Sequence, residues 1–277
     1  MKTFILGAGS MGEAILTGMI GGGRFQAGDI VVSDRNAERL RAIPAARGVN
    51  RFGTNAAAAR ASGAVVLCCK PRDLDGVVVE LEGALSEDAL IVSTLAGVPI
   101  EALQRKFSRR KVVRLIPNIA SSVNAGVTVW AASPDLSPEQ SRWVRGLVES
   151  LGRSIEVQDE TLVDLATPLS GAGPAFTAYF MDSLVEAAVE AGIPRPLSIE
   201  LVGGTIAGSM KLIEAEGWAS RAVRARVTSP GGLTAECIAA LERRGFNETV
   251  LQAVSAGRRK TMEMKEGASA PCAAGKS

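Results

Sequence analysis

The chain has 277 residues, 47% of them apolar and 22% charged, with a net charge of +2 and both signs interspersed. That composition suits one large domain or two modest ones with a sizeable core, and it supplies neither a basic footprint for nucleic acid nor an acidic tail. Histidine is absent, which excludes Ser-His and Cys-His nucleophile pairs and His-ligated metals and leaves proton transfer to other side chains or water.

The first apolar run, Thr3 to Leu6, leads straight into the glycine turn Gly7 to Gly12, unlike a signal peptide. Helical periodicity follows from Met11 to about Ile20 and stops at Gly21-Gly22-Gly23. Ile30-Val31-Val32 reads as the next strand, followed by the polar Ser33-Asp34-Arg35-Asn36. Ala64 to Cys69, Leu90 to Ser93 and Lys111 to Ile116 read as further strands with helices between them. These strands lack polar alternation, so they predict a parallel sheet buried on both faces by helices. Gly126 to Ala132 and Ser154 to Val157 are expected as edge strands, flanking a helix opened by Ser137-Pro138-Glu139. Adjacent Cys68 and Cys69 read as buried strand residues, with Cys237 and Cys272 far away. Their spacing fits neither a metal site nor a disulfide framework, and no metal is expected.

After about Asp159 strand runs disappear and helical patterns dominate. Pro174 suits a first helical turn, with Phe176, Phe180, Leu184 and Ala187 at helical spacing and Gly192 and Pro194 as the stop. A second helix is predicted from Pro196 to Glu216, containing Gly203, Gly204 and Gly208, a third just after Gly232 and a fourth near Asn247. Glycines inside a helix cost about 1 kcal/mol each relative to alanine, which close helix-helix approach offsets. The expected fold is α/β: an N-terminal Rossmann-like domain with a mostly parallel sheet (1–158), an all-α domain (159–266) and a disordered tail (267–277). No apolar run approaches the length of a bilayer span, so neither a membrane nor a nucleic acid is an expected partner and a cytoplasmic protein is.

Gly7-Ala8-Gly9-Ser10-Met11-Gly12 matches G-x-G-x-x-G and stands where that fingerprint must, between a strand and a helix in a unit of about 30 residues. Gly7 permits the tight turn, Gly9 lets backbone approach a pyrophosphate, and Gly12 lets the helix pack on the strand. The helix N-terminus offers free N–H groups to phosphates. Asp34, about 20 residues on, suits a ribose 2′-hydroxyl and favours NAD, whereas Arg35 beside it suits a 2′-phosphate and favours NADP. Further on, Ser229-Pro230-Gly231-Gly232-Leu233-Thr234 precedes a helix, and its exposed N–H groups form a concavity for an anion such as a carboxylate. Thr234 then offers a hydroxyl beside it; the alternative is an ordinary Pro-Gly turn in which Thr234 helps to cap the helix.

Taken together these runs resemble the pyrroline-5-carboxylate reductase family from about Lys2 to about Met264. Gly7 to Ile15 is similar to its opening GAGxMGxAI, and Val66-Leu67-Cys68-Cys69-Lys70-Pro71 to its strand motif ending in Lys-Pro. Ala96-Gly97 and Arg114-Leu115-Ile116-Pro117-Asn118 resemble its AG and R-x-M-P-N segments. Asp164 and Leu169 to Ala175 resemble D-x-x-T-x-x-SGSGPA, and Val227 to Thr234 resembles VTSPGGTT. Three positions depart: Ala172 stands for the serine of SGSGPA, Ile116 for the methionine of MPN, and Ile119 for the threonine after Asn118. The lost hydroxyl at 172 bears on substrate choice and turnover.

The resemblance implies hydride transfer from NADPH, less often NADH, to the C=N bond of pyrroline-5-carboxylate, the last step of proline synthesis. It implies homodimers interlocked through the C-terminal helices, with higher oligomers such as decamers. Cofactor contacts would come from Gly7, Gly9, Ser10, Met11, Gly12, Asp34, Arg35, Asn55, Cys69, Lys70, Pro71, Ala96, Gly97 and Asn118. Substrate contacts would come from Ser170, Ser229, Gly231, Gly232, Leu233 and Thr234, with Thr234 holding the ring nitrogen as the catalytic residue. Several of these have structural alternatives. Asn55 is either an N-cap or a cofactor ligand, Lys70 a ligand or a solvated lysine, Asn118 a nicotinamide contact or a turn former, and Ser170 a site residue or a cap. Two other functions stay open: reduction of a different cyclic imine, and a non-catalytic NAD(P)-binding regulator. A β-hydroxyacid dehydrogenase is disfavoured, because such enzymes carry a catalytic lysine on a central helix and none occurs between Lys111 and Lys211.

Overall fold

A computed structural model describes residues 1–46 and 48–269. In chain order it contains β1 (Thr3–Leu6), α1 (Ser10–Gly21), β2 (Ile30–Ser33), α2 (Ala37–Ala42), α3 (Asn55–Arg60), β3 (Ala64–Leu67), α4 (Leu74–Glu80), β4 (Leu90–Ser93) and α5 (Ile100–Phe107). There follow β5 (Val112–Ile116), β6 (Gly126–Ala132), α6 (Pro138–Ser150), β7 (Gly152–Glu156), α7 (Thr161–Ala166), α8 (Gly173–Glu190), α9 (Arg195–Ala215), α10 (Ser220–Val227), α11 (Leu233–Arg243) and α12 (Phe246–Ser269). The chain falls into two compact units, 1–174 joined by the stretch from Ala256, and Ala175–Ser255. The first unit thus runs past the expected boundary at 158, because α7 and the π-helical turn Thr167–Gly171 stay with the sheet.

The sheet has seven strands in the order β2-β1-β3-β4-β5-β6-β7. All neighbours are parallel except β5 and β6, as expected for a mostly parallel Rossmann sheet. Burial follows the pleat. Ile5, Val66, Val92 and Val113 point into one core with α1 and α6, while Phe4, Val65, Ile91 and Val112 point into another with α3, α4 and α5. One strand expectation is corrected: β6 lies inside the sheet, between β5 and β7, and only β7 is an edge. A short turn reverses the chain after β5, and α6 then carries it back to a parallel β7. The Ser137 hydroxyl accepts from the Gln140 N–H while the Gln140 side chain accepts from the Ser137 N–H, so the signal at Ser137-Pro138 is a complete capping box.

The second unit is entirely helical. Val185, Ser198 and Val223 are its buried residues, whereas Phe176, Tyr179, Phe180, Leu184, Leu201, Met210, Leu212 and Leu251 are exposed. Such an apolar surface on a unit with so small a core of its own marks an association face. Of the α9 glycines, a Cβ on Gly203 would lie at ordinary contact distance, 3.4 Å, from Met181 Cε, and on Gly204 or Gly208 it would meet nothing within 4 Å, so the expected close helix-helix approach is not made among the described residues of the chain. Helix α10 was not expected from the sequence, and α12 continues through Ser269, three residues into the expected tail. The remainder of that tail, 270–277, lies outside the described residues.

Candidate functional site

Leu6, Ser33 and Leu67 end β1, β2 and β3 side by side in the parallel ladder. Ligands of open α/β sheets gather at such carboxyl ends. Here the outgoing loops line a cleft of about 210 Å³ that brings together Gly7, Gly9, Asp34, Arg35, Asn55, Cys69 and Lys70. Gly7 has φ +101°, and a Cβ there would stand 2.8 Å from the Cys68 carbonyl oxygen. A Cβ on Gly12 would stand 1.9 Å from the Gly7 carbonyl oxygen. The fold itself therefore requires both glycines. Gly9 differs: it caps α1 without a side-chain bond, and a Cβ on it would meet nothing within 4 Å. No neighbour in the protein requires a glycine there, and the space beside it lies open to the cleft. That open face, with free N–H groups at the start of α1, fits a pyrophosphate. Ser10 is exposed at the helix start, while Met11 packs into the core behind it.

Asp34 holds the glycine turn in place. Its Oδ2 accepts from the Ala8 N–H and its Oδ1 from the Asn36 N–H, each at 2.8 Å. Arg35 is exposed and pairs with Asp73 at 3.3 Å. The sequence reading missed Ser33, Arg39, Asp73 and Glu80, which also line the cleft. Arg39 has no acid partner among the described residues, and its position on α2, the helix that directly follows Asp34-Arg35, is the signal that could have revealed it. Asn55 is not the N-cap: Thr54 takes that role, accepting from the Ala57 N–H, and the Asn55 amide donates to Glu80 at 2.9 Å. The cysteine pair is also corrected. β3 stops at Leu67, so Cys68 and Cys69 stand at the strand's mouth. Burial pushes the Cys68 thiol up to about 12 and the Cys69 thiol up to about 11, so neither is a nucleophile at neutral pH. Lys70 is exposed beside them, and Pro71 opens a 3₁₀ turn.

Ala96, Gly97 and Asn118 follow β4 and β5 and do not line this cleft. Asn118 acts as a turn former, its side-chain oxygen accepting from the Ala120 N–H at 3.2 Å. Ser170 sits within the π-helical turn and donates to the Ala166 carbonyl at 3.1 Å, so it does not cap a helix. π-Helical turns recur at functional sites. In the helical unit, Gly231 has φ +71° and the Gly232 N–H donates to the Ser229 carbonyl at 3.0 Å. Gly232 then caps α11 without any side-chain bond. Thr234 is thus not the cap; it sits half-buried in the first turn beside unclaimed N–H groups, an arrangement suited to a carboxylate.

One charged cluster escaped the sequence reading, although a lone arginine within Val112-Val113-Arg114-Leu115-Ile116 signals it. Arg114, fully buried, pairs with Asp164 and, at 3.1 Å, with Glu160. Lys265 reaches Asp164 at 3.2 Å. Burial alone would raise the Asp164 carboxyl, but the hydrogen bonds and charges of Arg114 and Lys265 outweigh it and hold the group below the usual carboxylate value.

The mostly parallel sheet, the glycine turn at its carboxyl edge and the open face of Gly9 define a dinucleotide-binding Rossmann protein. Residues 160–264 match the family described as pyrroline-5-carboxylate reductase dimerisation, and residues 2–97 match NADP oxidoreductase coenzyme F420-dependent. The chain is 33% identical to a pyrroline-5-carboxylate reductase of Synechocystis, over 94% of this chain and 97% of that one. It is 31% identical to the Escherichia coli enzyme of the same name, over 96% and 97%. A crystal structure of Plasmodium falciparum pyrroline carboxylate reductase with NADP bound superposes with a TM-score of 0.85 at 28% identity, covering 95% of this chain and 98% of that one. The chain belongs to the pyrroline-5-carboxylate reductase family.

Proposed function

We propose that the protein reduces 1-pyrroline-5-carboxylate to L-proline with NADPH. The observation that carries this reading is the open face of Gly9 in the sheet-edge cleft, a space that a dinucleotide explains and the fold does not. The bound cofactor supplies the hydride. Residues 1–158 hold it, with Gly7 to Gly12 at the pyrophosphate, Asn55, Cys69, Lys70 and Pro71 along the cleft, and Ala96, Gly97 and Asn118 towards the nicotinamide. In the helical unit the N–H groups around Gly231 to Thr234 bind the substrate carboxylate, with the Ser229 hydroxyl beside them, and Ser170 of the π-helical turn is a further substrate contact. The Thr234 hydroxyl orients the ring nitrogen and water completes protonation, so no histidine is required. Homodimers form through the exposed apolar helices, where Gly204 and Gly208 leave room for a partner helix, and dimers assemble further into a higher oligomer such as a decamer. The free thiols of Cys68, Cys69 and Cys237 suit a reducing cytoplasm.

Mixing the protein with NADPH and pyrroline-5-carboxylate and following the reduced-nicotinamide absorbance tests this directly. Rapid loss is expected; binding without oxidation would mark a regulator, and turnover only of another imine would trace to Ala172. In the same assay Thr234→Ala should lower kcat/KM at least about tenfold, the scale of one oriented hydrogen bond. Unchanged kinetics would remove Thr234 from the mechanism.

Cofactor choice turns on the adenosine end. Both oxygens of Asp34 already accept backbone N–H groups, whereas Arg39 offers an unpaired guanidinium and Arg35 one held only by an exposed pair. A 2′-phosphate answers those cations better than a 2′-hydroxyl does. Arg39→Ala should cut kcat/KM for NADPH about tenfold while leaving NADH nearly unaffected. An equal loss with both cofactors would remove Arg39 from discrimination.

A further inference from the structure

The part of α12 from Ala256 onward belongs with the sheet unit, and its contacts there are close. A Cβ on Gly257 would lie 2.8 Å from Pro168 Cβ, in the π-helical turn. Gly97, at φ +74° after β4, leaves 2.8 Å between its missing Cβ and the Lys265 backbone nitrogen. The helix backbone therefore rests directly on the loop that leaves β4. From there a chain of charge runs inward. Lys265 Nζ meets Asp164 at 3.2 Å, Asp164 meets Arg114 in β5, and Arg114 meets Glu160 at 3.1 Å. Glu160 in turn accepts the Ile100 N–H at 2.8 Å, at the start of α5.

These contacts join three segments: the loop after β4, the strand that ends just before Pro117-Asn118, and Thr167–Gly171. The strand order explains why they belong together. A dinucleotide whose pyrophosphate sits at the turn after β1 and whose adenosine lies towards β2 extends its other half towards β4 and β5. We propose that Lys265, one residue past the segment shared with the family's dimerisation domain, positions the nicotinamide half of the dinucleotide site by tying α12 to the strand-end segments that form it. This rests on the dinucleotide reading above. Lys265 acts through Asp164, Arg114 and the loop at Gly97 rather than by touching cofactor or substrate. It is also the member of the network that can be changed most safely, being about one-third exposed and leaving Asp164 still paired with Arg114.

The test uses two probes of different reach, 2′,5′-ADP for the adenosine half and NADPH for the whole, titrated by calorimetry into wild-type protein, Lys265→Met and Lys265→Arg. Lys265→Met should bind 2′,5′-ADP within twofold of wild type but NADPH about fivefold more weakly, the upper scale of a part-exposed ion pair. Lys265→Arg should restore NADPH binding to within twofold. A parallel loss of both probes would make Lys265 merely structural and overturn the proposal. Unchanged NADPH binding, or no rescue by arginine, would overturn it as well. Neither titration needs turnover, so failure to reduce pyrroline-5-carboxylate would count against the proposed reaction and leave this result standing on its own.

Discussion

Asp164→Asn is expected to destabilise the protein by about 3 kcal/mol, lowering its melting temperature by about 6 °C or more. Arg114 has no exposed surface, so its charge depends wholly on its partners. Losing one partner leaves that charge under-compensated, and the remaining one, Glu160, is itself part-exposed. The Arg114 Nε, buried without a hydrogen-bond partner, shows that the site has no spare acceptor to take over. The amide also ends the ion pair with Lys265, freeing the end of α12 from α7. A companion variant separates charge from shape. Arg114→Met with Asp164→Leu removes the buried ions together and should recover much of the loss, since Glu160 and Lys265 reach solvent. Thermal melts at neutral pH decide the matter; an Asp164→Asn protein melting within about 2 °C of wild type would show that the network contributes little.

The same group sets a pH dependence with a definite sign. The folded Asp164 carboxyl titrates below its unfolded value of 3.8. Its contribution is therefore fully present above that value and is lost as pH falls through the lower, folded one. The stability gap between wild type and Asp164→Asn should be constant above pH 3.8 and should close progressively as pH falls below it.

How far the sequence led depended on the range of the interaction. β1, β4 and β6 were legible to the residue, because strands buried in a sheet are short, mostly apolar runs rich in β-branched residues. The glycine turn was legible because its demands are local: Gly7 needs its φ and Gly12 its close approach wherever the rest of the chain goes. That β6 lies inside the sheet was not, since strand order depends on which way the chain turns after β5, and edge and interior strands share a composition. The charged cluster was the deepest miss. Arg114 and Asp164 stand in two separate runs of the sequence, and only folding brings them together across 50 positions, and Lys265 to Asp164 across 101. Asn55 failed for a smaller reason: Thr54 and Asn55 are both good caps, and a shift of one residue decides which is used.

Gly12→Ala and Gly9→Ala should part company in a way that tests the site more sharply than loss of activity alone. At Gly12 the new methyl would lie 1.9 Å from the Gly7 carbonyl oxygen, a contact relieved only if α1 slides or the turn opens. Either movement displaces the N–H groups aimed at the cleft. A misplacement on the order of 1 Å costs about a hundredfold in an oriented interaction, and overpacking adds about 1–3 kcal/mol of lost stability. Gly12→Ala should therefore melt early and bind NADPH at least about a hundredfold more weakly. At Gly9 the methyl enters open space, and replacing a glycine whose φ is −64° suits an L-residue. That protein should melt at or slightly above the wild-type temperature yet lose NADPH affinity comparably, because the methyl occupies the volume a pyrophosphate needs. If Gly9→Ala binds NADPH as tightly as wild type, the open face of the turn is not where the phosphates sit, and the dinucleotide must enter the cleft by another route.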